Sequence, residues 1–296
     1  MNFLPRTDLA SEDCENDSRK EIEIYKIGNV NVEKIILDEE NARKYGKREG
    51  AYFTISTDAI IDLSHDDATE VSVALAKVLE DLYEEYNLTQ DSYVLLLGLG
   101  NDDITPDSLG PKVIRKLLVT KHYDDLGQLD ENLGVVGAIA PGVMGQTGIE
   151  TSDIIKALVK KTKPDLVLVV DALASRSLHR VNRTIQISTA GINPGSGVGN
   201  KRKEVSMKTL GVPVVAIGVP TVVDVISIFN DTLEYVANIN DEEKIKYNEY
   251  DVKEALNESN LDFMVTPKEI DEVMNMLSDI ISKGINTSIH NLTIYE

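Results

Sequence analysis

The chain has 296 residues, and 42% of them are hydrophobic, which is enough apolar material for a large core. The 30 Lys and Arg residues are outnumbered by 50 Asp and Glu residues, which gives a formal net charge of −20 at pH 7. This charge repels phosphates and anionic lipid headgroups, so direct binding to nucleic acid or to a membrane is not expected. A protein, or a neutral or basic molecule, suits the charge better as a partner, although acidity alone also serves solubility.

The cysteine content and the apolar segments indicate the compartment. Cys14 is the only cysteine, so no disulfide can form within the chain and a reducing compartment is favoured. Residues 1–6 contain no apolar run long enough for a signal peptide. The longest apolar stretch, residues 212–228, is interrupted by prolines, a glycine and an aspartate, which is typical of a strand, turn and helix rather than a membrane span. We therefore expect a cytoplasmic protein.

The first 90 residues are acidic and irregular. Their apolar residues predict strands at residues 21–27 and 32–36 and a partly buried helix at residues 68–86. The character of the chain changes at Tyr93, because residues 93–100 form a continuous apolar run that ends in glycines. Such a run predicts a strand that is buried on both faces of a sheet.

Strand-like and helix-like segments then alternate. Further apolar runs lie at residues 135–140, 166–170 and 212–217, and helix-like segments lie at residues 111–118 and 151–161. Pro111 suits a first helical turn, and Thr151 or Ser152 suits a helix cap. The alternation predicts an α/β fold, a mostly parallel sheet sandwiched by helices, whose reactive groups collect in loops at the carboxyl ends of the strands.

The last part of the chain indicates an insertion and a C-terminal helix added to one domain, rather than a second domain. Residues 238–260 are polar and charged, as in an insertion, and residues 266–269 form a helix start before a helical apolar period at 270–281. We expect one α/β domain over residues 9–296. Its parts are an acidic N-terminal part at 9–90, a core at 91–230, a variable insertion at 231–262 and a C-terminal helix at 263–296.

The loop after the first buried strand carries several carboxylates. Its two glycines suggest a dinucleotide site, but Asp103 occupies the place of the third glycine and would oppose a pyrophosphate. The same loop places Asp102 and Asp107 close to a strand end. Asp107 precedes the helix that opens at Pro111, so it is either a reactive group in a rigid loop or the cap of that helix.

Asp171 directly follows the apolar run at residues 166–170. A carboxylate there is costly to bury unless it is paired or used in the chemistry. Asp107 and Asp171, at neighbouring strand ends, can face each other across a cleft, where one carboxyl stays protonated while the other activates water for amide hydrolysis. The same pair can instead hold a divalent metal that lowers the pKa of its water. A structural alternative is a salt bridge from Asp171 to Arg176 or Arg180.

Other catalytic patterns are weak in this sequence. The histidines form no H-E-x-x-H pair and no G-x-S-x-G occurs, which argues against a zincin and a serine hydrolase. His179 suits a surface or core role better than metal binding. Residues 195–202 are glycine-rich but lack the Walker spacing, so we interpret them as a flexible loop whose backbone approaches an extended peptide. Asn200 and Lys201 of this loop, and Arg176, are candidates for binding the oxyanion or the peptide backbone.

Several stretches together resemble the germination protease family. Two of them contain the aspartates above, Thr105-Pro-Asp-Ser-Leu-Gly-Pro111 and Asp171-Ala-Leu-Ala-Ser-Arg-Ser177. The others lie at residues 6–12, 98–101, 140–151, 163–165, 180–182, 184–187, 191, 194–202, 209–211, 217–224 and 264–269. Each piece is weak alone, but their ordered collection covers nearly the whole chain and is highly specific.

The resemblance implies an endopeptidase that starts the degradation of small acid-soluble spore proteins during germination, in the spore core of a spore-forming bacterium. The two aspartates assigned to catalysis in the family fall on Asp107 and Asp171. The fold is similar to that of hydrogenase-maturation peptidases, which use carboxylates and a histidine around a metal, so an aspartic and a metal-dependent mechanism both stay open. The resemblance also implies a homotetramer.

The resemblance further implies a zymogen that trims its own N-terminus at a site that mimics its substrates. Those substrates carry an acidic–apolar junction within the pattern Thr-Glu-(apolar)-x-x-Glu, and residues 7–12 have this form. The expected cut lies between Asp8 and Leu9, so residues 1–8 are a propeptide. We expect a disordered tail here, as suits a cleavable segment.

The favoured function is therefore peptide hydrolysis in which one of the two aspartates takes a proton from water and the other protonates the leaving amine. One alternative is a metallopeptidase that uses the same carboxylates. Another is a non-enzymatic protein whose glycine-rich loop binds an anionic small molecule, although such a protein has no reason to carry the substrate-like residues 6–12. The segment at residues 231–263 is shorter than expected for the family, which puts any oligomer contacts there in doubt.

Overall fold

A nine-stranded mixed sheet flanked by helices forms the described part of the molecule. This computed structural model describes residues 7–14, 22–57, 65–195, 203–239, 263–290 and 292. The strands are β1 (Ile22–Ile27), β2 (Val30–Leu37), β3 (Gly50–Ser56), β4 (Tyr93–Gly98), β5 (Val135–Ile139), β6 (Leu166–Ser175), β7 (Thr184–Ser188), β8 (Val214–Asp224) and β9 (Met264–Val265). The helices are α1 (Ala10–Cys14), α2 (Glu39–Tyr45), α3 (His65–Glu85), α4 (Leu109–Ile114), α5 (Lys121–Asp125), α6 (Met144–Thr147), α7 (Thr151–Thr162), α8 (Met207–Leu210), α9 (Val225–Ile239) and α10 (Ile270–His290).

The sheet has a parallel half and an antiparallel half. Its strand order is β1-β2-β3-β7-β8-β6-β4-β5, and β9 pairs with β8. Strands β8, β6, β4 and β5 run parallel. Strands β1, β2, β3 and β7 pair antiparallel, and β7 joins the two halves through an antiparallel pairing with β8. The predicted α/β class is confirmed, but the sheet is mixed rather than mostly parallel, because β1, β2, β3 and β7 extend it with antiparallel pairings. The four parallel strands arise from the four continuous apolar runs of the sequence.

The parallel half is buried on both faces, which explains its continuous apolar runs. In β4, Val94 and Leu96 belong to one hydrophobic core, whereas Leu95 and Leu97 belong to the other, because successive side chains of a strand alternate. Helices α3, α4 and α10 contribute to the first core, and α7 contributes to the second. Each fully buried Leu contributes about 1.5–3 kcal/mol, so these strands are a firm support for the loops that follow them.

Strands β6 and β8 are longer than the sequence predicts. The apolar run ends at residue 170, but β6 continues to Ser175 because β8 pairs with it as far as Val223, with a bulge between Leu173 and Ala174. Strand β4 ends at Gly98, opposite Val170, so it leaves the edge of β6 at this point. Asp171 therefore lies inside β6, just beyond the end of β4, and not after the strand as expected.

Other boundaries differ from the predictions in smaller ways. Strands β3, β7 and β9 were not predicted, and the cap residue of α7 is Glu150 rather than Thr151 or Ser152. Helix α10 contains the helical period predicted at residues 270–281. Residues 240–262, which hold most of the predicted insertion, lie outside the described residues. Among the helices in the described ranges, none has the length and apolar character that crossing a bilayer requires.

Candidate active site

The loop that follows β4 holds Asp107 in a fixed position. The backbone N–H of Asn101 donates to Asp107 Oδ2 at 2.8 Å and to the Asp107 carbonyl oxygen at 3.1 Å. Gly100 permits this close approach, because its φ is +109° and a Cβ there would lie 1.9 Å from the Asp107 carbonyl oxygen. The cap residue of α4 is Ser108. The Asp107 carboxylate therefore turns back toward the loop, and the capping role considered from the sequence is wrong.

Asp171 is buried near the centre of the sheet. Asp171 is only 4% exposed, and it pairs with Gly218 of β8. Its Oδ1 accepts the backbone N–H of Ala172 at 3.0 Å. Pairing of β6 with β8 fixes the backbone of Asp171 at the point where β4 ends.

Asp107 and Asp171 line the same cavity, which has a volume of about 380 Å³. A third carboxylate, that of Asp8, lines it as well. Thr221 of β8 also lines the cavity, and its hydroxyl donates to the Pro106 carbonyl at 2.7 Å, which ties the Asp107 loop to the sheet. The structure thus places the two predicted aspartates, from separate turns of the chain, at one cleft.

The N-terminal segment, residues 7–14, binds along β6 beside this cavity. The Asp8 N–H donates to the Ala174 carbonyl at 3.0 Å, and the Ala174 N–H donates to Asp8 Oδ2 at 2.9 Å. Leu9 is fully buried, and the Ala10 N–H donates to Gln186 Oε1 at 2.7 Å. The expected disordered tail is therefore wrong for residues 7–14, and the predicted cut between Asp8 and Leu9 lies within a docked segment.

Cations hold the acidic residues of the N-terminal segment. The Arg176 guanidinium contacts the Asp13 carboxylate and donates to the Glu12 carbonyl at 3.3 Å. Lys47 Nζ lies 3.0 Å from Asp13 Oδ2, and Arg180 Nε lies 4.0 Å from Glu12 Oε1. Both arginines that were considered as salt-bridge partners of the strand aspartate are thus engaged by the N-terminal segment.

Asp8 also lines a second cavity of about 380 Å³. Lys47, Arg48, Tyr52 and Arg176 are among its lining residues. Burial raises the pKa of Tyr52, whose hydroxyl donates to the Arg48 carbonyl at 2.9 Å. Asp8 therefore borders both the cavity that contains the two aspartates and a cavity whose lining contains three cations together with Asp13.

The remaining predicted residues lie elsewhere. Asn200 and Lys201 fall within residues 196–202, outside the described residues, although Gly195 just before them lines the carboxylate cavity. His179 is exposed in a turn after β6. Across the part of the chain that the structure describes, no group of three or more His, Cys, Asp and Glu residues could hold a metal ion. The described residues therefore present no donor set that fits a metal centre of carboxylates and histidine.

Sequence reasoning missed two residues of the cleft, Asn101 and Thr221. Both were within stretches that carry the family resemblance, at residues 98–101 and 217–224. Their position in these stretches was the one signal in the sequence that could have pointed to them. Neither residue type is reactive by itself, and their roles depend on the loop and strand that bring them to Asp107.

The fold and the cleft define an α/β protein that binds a peptide segment beside two aspartates. The family model described as Germination protease matches residues 6–248. A germination protease of Clostridium tetani is 43% identical over 309 residues, which cover 96% of this chain and 95% of that protein. Those of Oceanobacillus iheyensis and Bacillus subtilis are 41% and 37% identical, each over 97% of this chain and over 95% and 94% of their own lengths.

The chain therefore belongs to the germination protease family, and it is a hydrolase of the peptidase class. This membership argues against the non-enzymatic binding protein considered from the sequence. Among solved structures, a NiFe hydrogenase maturation protease of Thermococcus kodakarensis is similar, with a TM-score of 0.34 and 17% identity over 70% of this chain and 98% of that one.

Proposed function

We propose that this chain is an endopeptidase made as a zymogen. It trims its own N-terminus between Asp8 and Leu9 and then starts the degradation of small acid-soluble spore proteins during germination. The observation that carries the proposal is that Asp107 and Asp171 line one cavity together with Asp8 of the bound N-terminal segment. The bond to be cut thus belongs to a residue that shares its cavity with the two side chains expected to cut it.

The two carboxyl groups have complementary roles in this mechanism. One is ionised and takes a proton from a water molecule, whose oxygen attacks the carbonyl carbon of Asp8. The other is protonated and gives its proton to the amide nitrogen of Leu9 as the C–N bond breaks. The products are a C-terminal carboxyl group on Asp8 and an amino group on Leu9, and the pair again holds one proton.

Neighbouring groups position the peptide. Arg176 is a candidate for holding the backbone, because its guanidinium donates to the Glu12 carbonyl of the bound segment at 3.3 Å. Asn200 and Lys201 remain candidates for binding the oxyanion or the backbone. The glycine-rich loop that contains them follows Gly195, which lines the cavity.

Proteins that carry the pattern Thr-Glu-(apolar)-x-x-Glu are the proposed substrates, because residues 7–12 follow this pattern with Asp8 in place of its first Glu. The net charge of −20 supports a protein substrate over direct binding to nucleic acid or a membrane. The proposal extends to a location in the spore core and to a homotetramer. Size-exclusion chromatography with light scattering measures that assembly, and a monomer would contradict it.

Intact mass spectrometry before and after mild acidification or dehydration tests the proposal. We expect the loss of residues 1–8, which leaves Leu9 at the N-terminus. An unchanged mass under every condition contradicts the zymogen. Dialysis against a chelator distinguishes the aspartic from the metal-dependent mechanism, because an enzyme that uses only the two aspartates keeps its activity. A loss of activity that one divalent ion restores selects the metallopeptidase.

A further inference from the structure

The N-terminal segment contains a buried glutamate besides the bond that is expected to be cut. Glu12 is only 3% exposed. Its Oε2 accepts the backbone N–H of Arg176 at 2.7 Å, and its Oε1 accepts the backbone N–H of Ser177 at 2.9 Å. Arg180 Nε lies 4.0 Å from the same Oε1. Two adjacent amides and one cation therefore form a receptor for a single carboxylate, and hydrogen bonds to an ionised acceptor are about twice as strong as neutral ones.

This receptor belongs to the same stretch of chain as the catalytic cleft. Residues 171–177 contain Asp171, then Ala174, whose backbone binds Asp8, and then the two amides that bind Glu12. The distance between the cleft and the receptor is consequently set by β6 and the two residues that follow it. Consider a peptide whose acidic residue before the cut bond binds Ala174, as Asp8 does. Its fourth residue after that bond then lies at the receptor, as Glu12 does.

We infer that the amides of Arg176 and Ser177, together with Arg180, form a subsite for a glutamate at the fourth position after the cut bond. This inference rests on the proposed function and extends it to protein substrates. Residues 9–14 stay attached to the chain after the cut. Glu12 therefore competes with the glutamate of a substrate for the same subsite, and the segment must leave before a substrate is bound.

Peptide competition on the full-length protein tests the subsite without relying on catalysis. The probes are a synthetic peptide with the sequence of residues 3–16, with Ser in place of Cys14, and a copy that also has Gln in place of Glu12. Cys14 of the protein is fully buried and is its only cysteine, so the rate of thiol labelling reports release of the segment. We expect the glutamate peptide to accelerate labelling at about tenfold lower concentration than the glutamine peptide. Only the glutamate peptide places a charged acceptor on the amides of Arg176 and Ser177. Equal effects of the two peptides overturn the subsite.

Cleavage of the same peptides by the self-trimmed protein gives the kinetic counterpart. We expect kcat/KM to be about tenfold higher for the glutamate peptide, through KM. Arg180→Gln should narrow the ratio of kcat/KM between the two peptides to about threefold, because it removes the partly exposed side-chain cation of the subsite. Arg43→Gln, whose exposed guanidinium pairs with Glu39, leaves the ratio unchanged.

The outcomes separate this inference from the proposed function. Equal kcat/KM values for the two peptides contradict the subsite while leaving the endopeptidase intact. If neither the peptides nor the N-terminus of the protein is cut, the proposed function fails. In that case the labelling experiment still decides whether the receptor binds glutamate.

Discussion

The parallel and antiparallel halves of the sheet contribute differently to the cleft. In the parallel half, Asp171 lies on β6 and Asp107 lies in the loop that follows β4, and both strands are buried on both faces. The N-terminal segment binds along β6 and also packs on the antiparallel half, where its Ala10 and Cys14 lie in one cluster with Tyr52 of β3. The proposed chemistry therefore depends on rigid backbone, whereas docking of the segment combines ion pairs with hydrogen bonds and the burial of Leu9. Substitutions in the two halves should therefore have different effects.

Gly100→Ala tests the rigid half and should have the largest effect. A Cβ at this position would lie 1.9 Å from the Asp107 carbonyl oxygen, and the φ of +109° disfavours any other residue. Displacement of the loop moves the Asp107 carboxylate, so N-terminal trimming should slow by about a hundredfold. The rate is measured by intact mass spectrometry after acidification.

Gly145→Ala is the matched control for this substitution, because nothing lies within 4 Å of a Cβ built there. It should trim at the wild-type rate. Normal trimming by Gly100→Ala would show that the position of Asp107 is not fixed by this loop, or does not matter.

Lys47→Met tests the docking of the segment and should have an intermediate effect. Lys47 Nζ contacts the Thr7 carbonyl at 2.9 Å and Asp13 at 3.0 Å. Loss of these contacts should speed thiol labelling of Cys14 about fivefold to tenfold, because a hydrogen bond to a charged group contributes about 1.5–3 kcal/mol and is only partly lost here. Lys44→Met removes an exposed lysine of helix α2, which ends just before Lys47, and should leave labelling unchanged. Equal labelling of both variants would contradict the role of Lys47.

A change of pH should have the smallest effect, and it acts through α10 on the parallel half. The His290 ring Nε2 lies 3.0 Å from the Leu118 carbonyl, and Nδ1 is buried with no hydrogen-bond partner among the described residues. Burial lowers the pKa of His290 below 6.5. The unfolded chain therefore binds the proton more readily than the folded chain. The free energy of unfolding has its full value above about pH 6.5 and decreases as the pH falls below that value.

His290→Gln should reduce this dependence, since each unit of pKa depression corresponds to about 1.4 kcal/mol. Urea unfolding at pH 7.5 and at pH 5.5 measures the difference between variant and wild type. An identical loss of stability in both proteins would assign the acid sensitivity to other groups.

The parallel half could be predicted from the sequence, but the antiparallel half only in part. Continuous apolar runs revealed β4, β5, β6 and β8, and the rule that reactive groups gather at strand ends led to Asp107 and Asp171. Strand β7 was missed because its five residues alternate polar and apolar side chains over too short a length. The end of β6 was misplaced because Asp171 interrupts the apolar run, whereas pairing with β8 continues the strand.

Docking of the N-terminal segment could not be predicted for a different reason. Its partners, such as Gln186 and Arg176, are far away in the sequence, and no local pattern in residues 7–14 reveals them. The family resemblance marked this segment as a cleavage site, but the contacts that hold it depend on the finished sheet. Their nature is visible only in the structure.

The central claim is that Asp107 and Asp171 together cut the bond after Asp8. Intact mass spectrometry after acidification of Asp107→Asn and Asp171→Asn tests it most directly, with Asp103→Asn, an exposed carboxylate of the same loop, as the control. We predict that both variants keep residues 1–8, with trimming slowed by at least about a thousandfold and an unchanged circular dichroism spectrum, while the control trims normally. Trimming at the wild-type rate by either variant would contradict the claim.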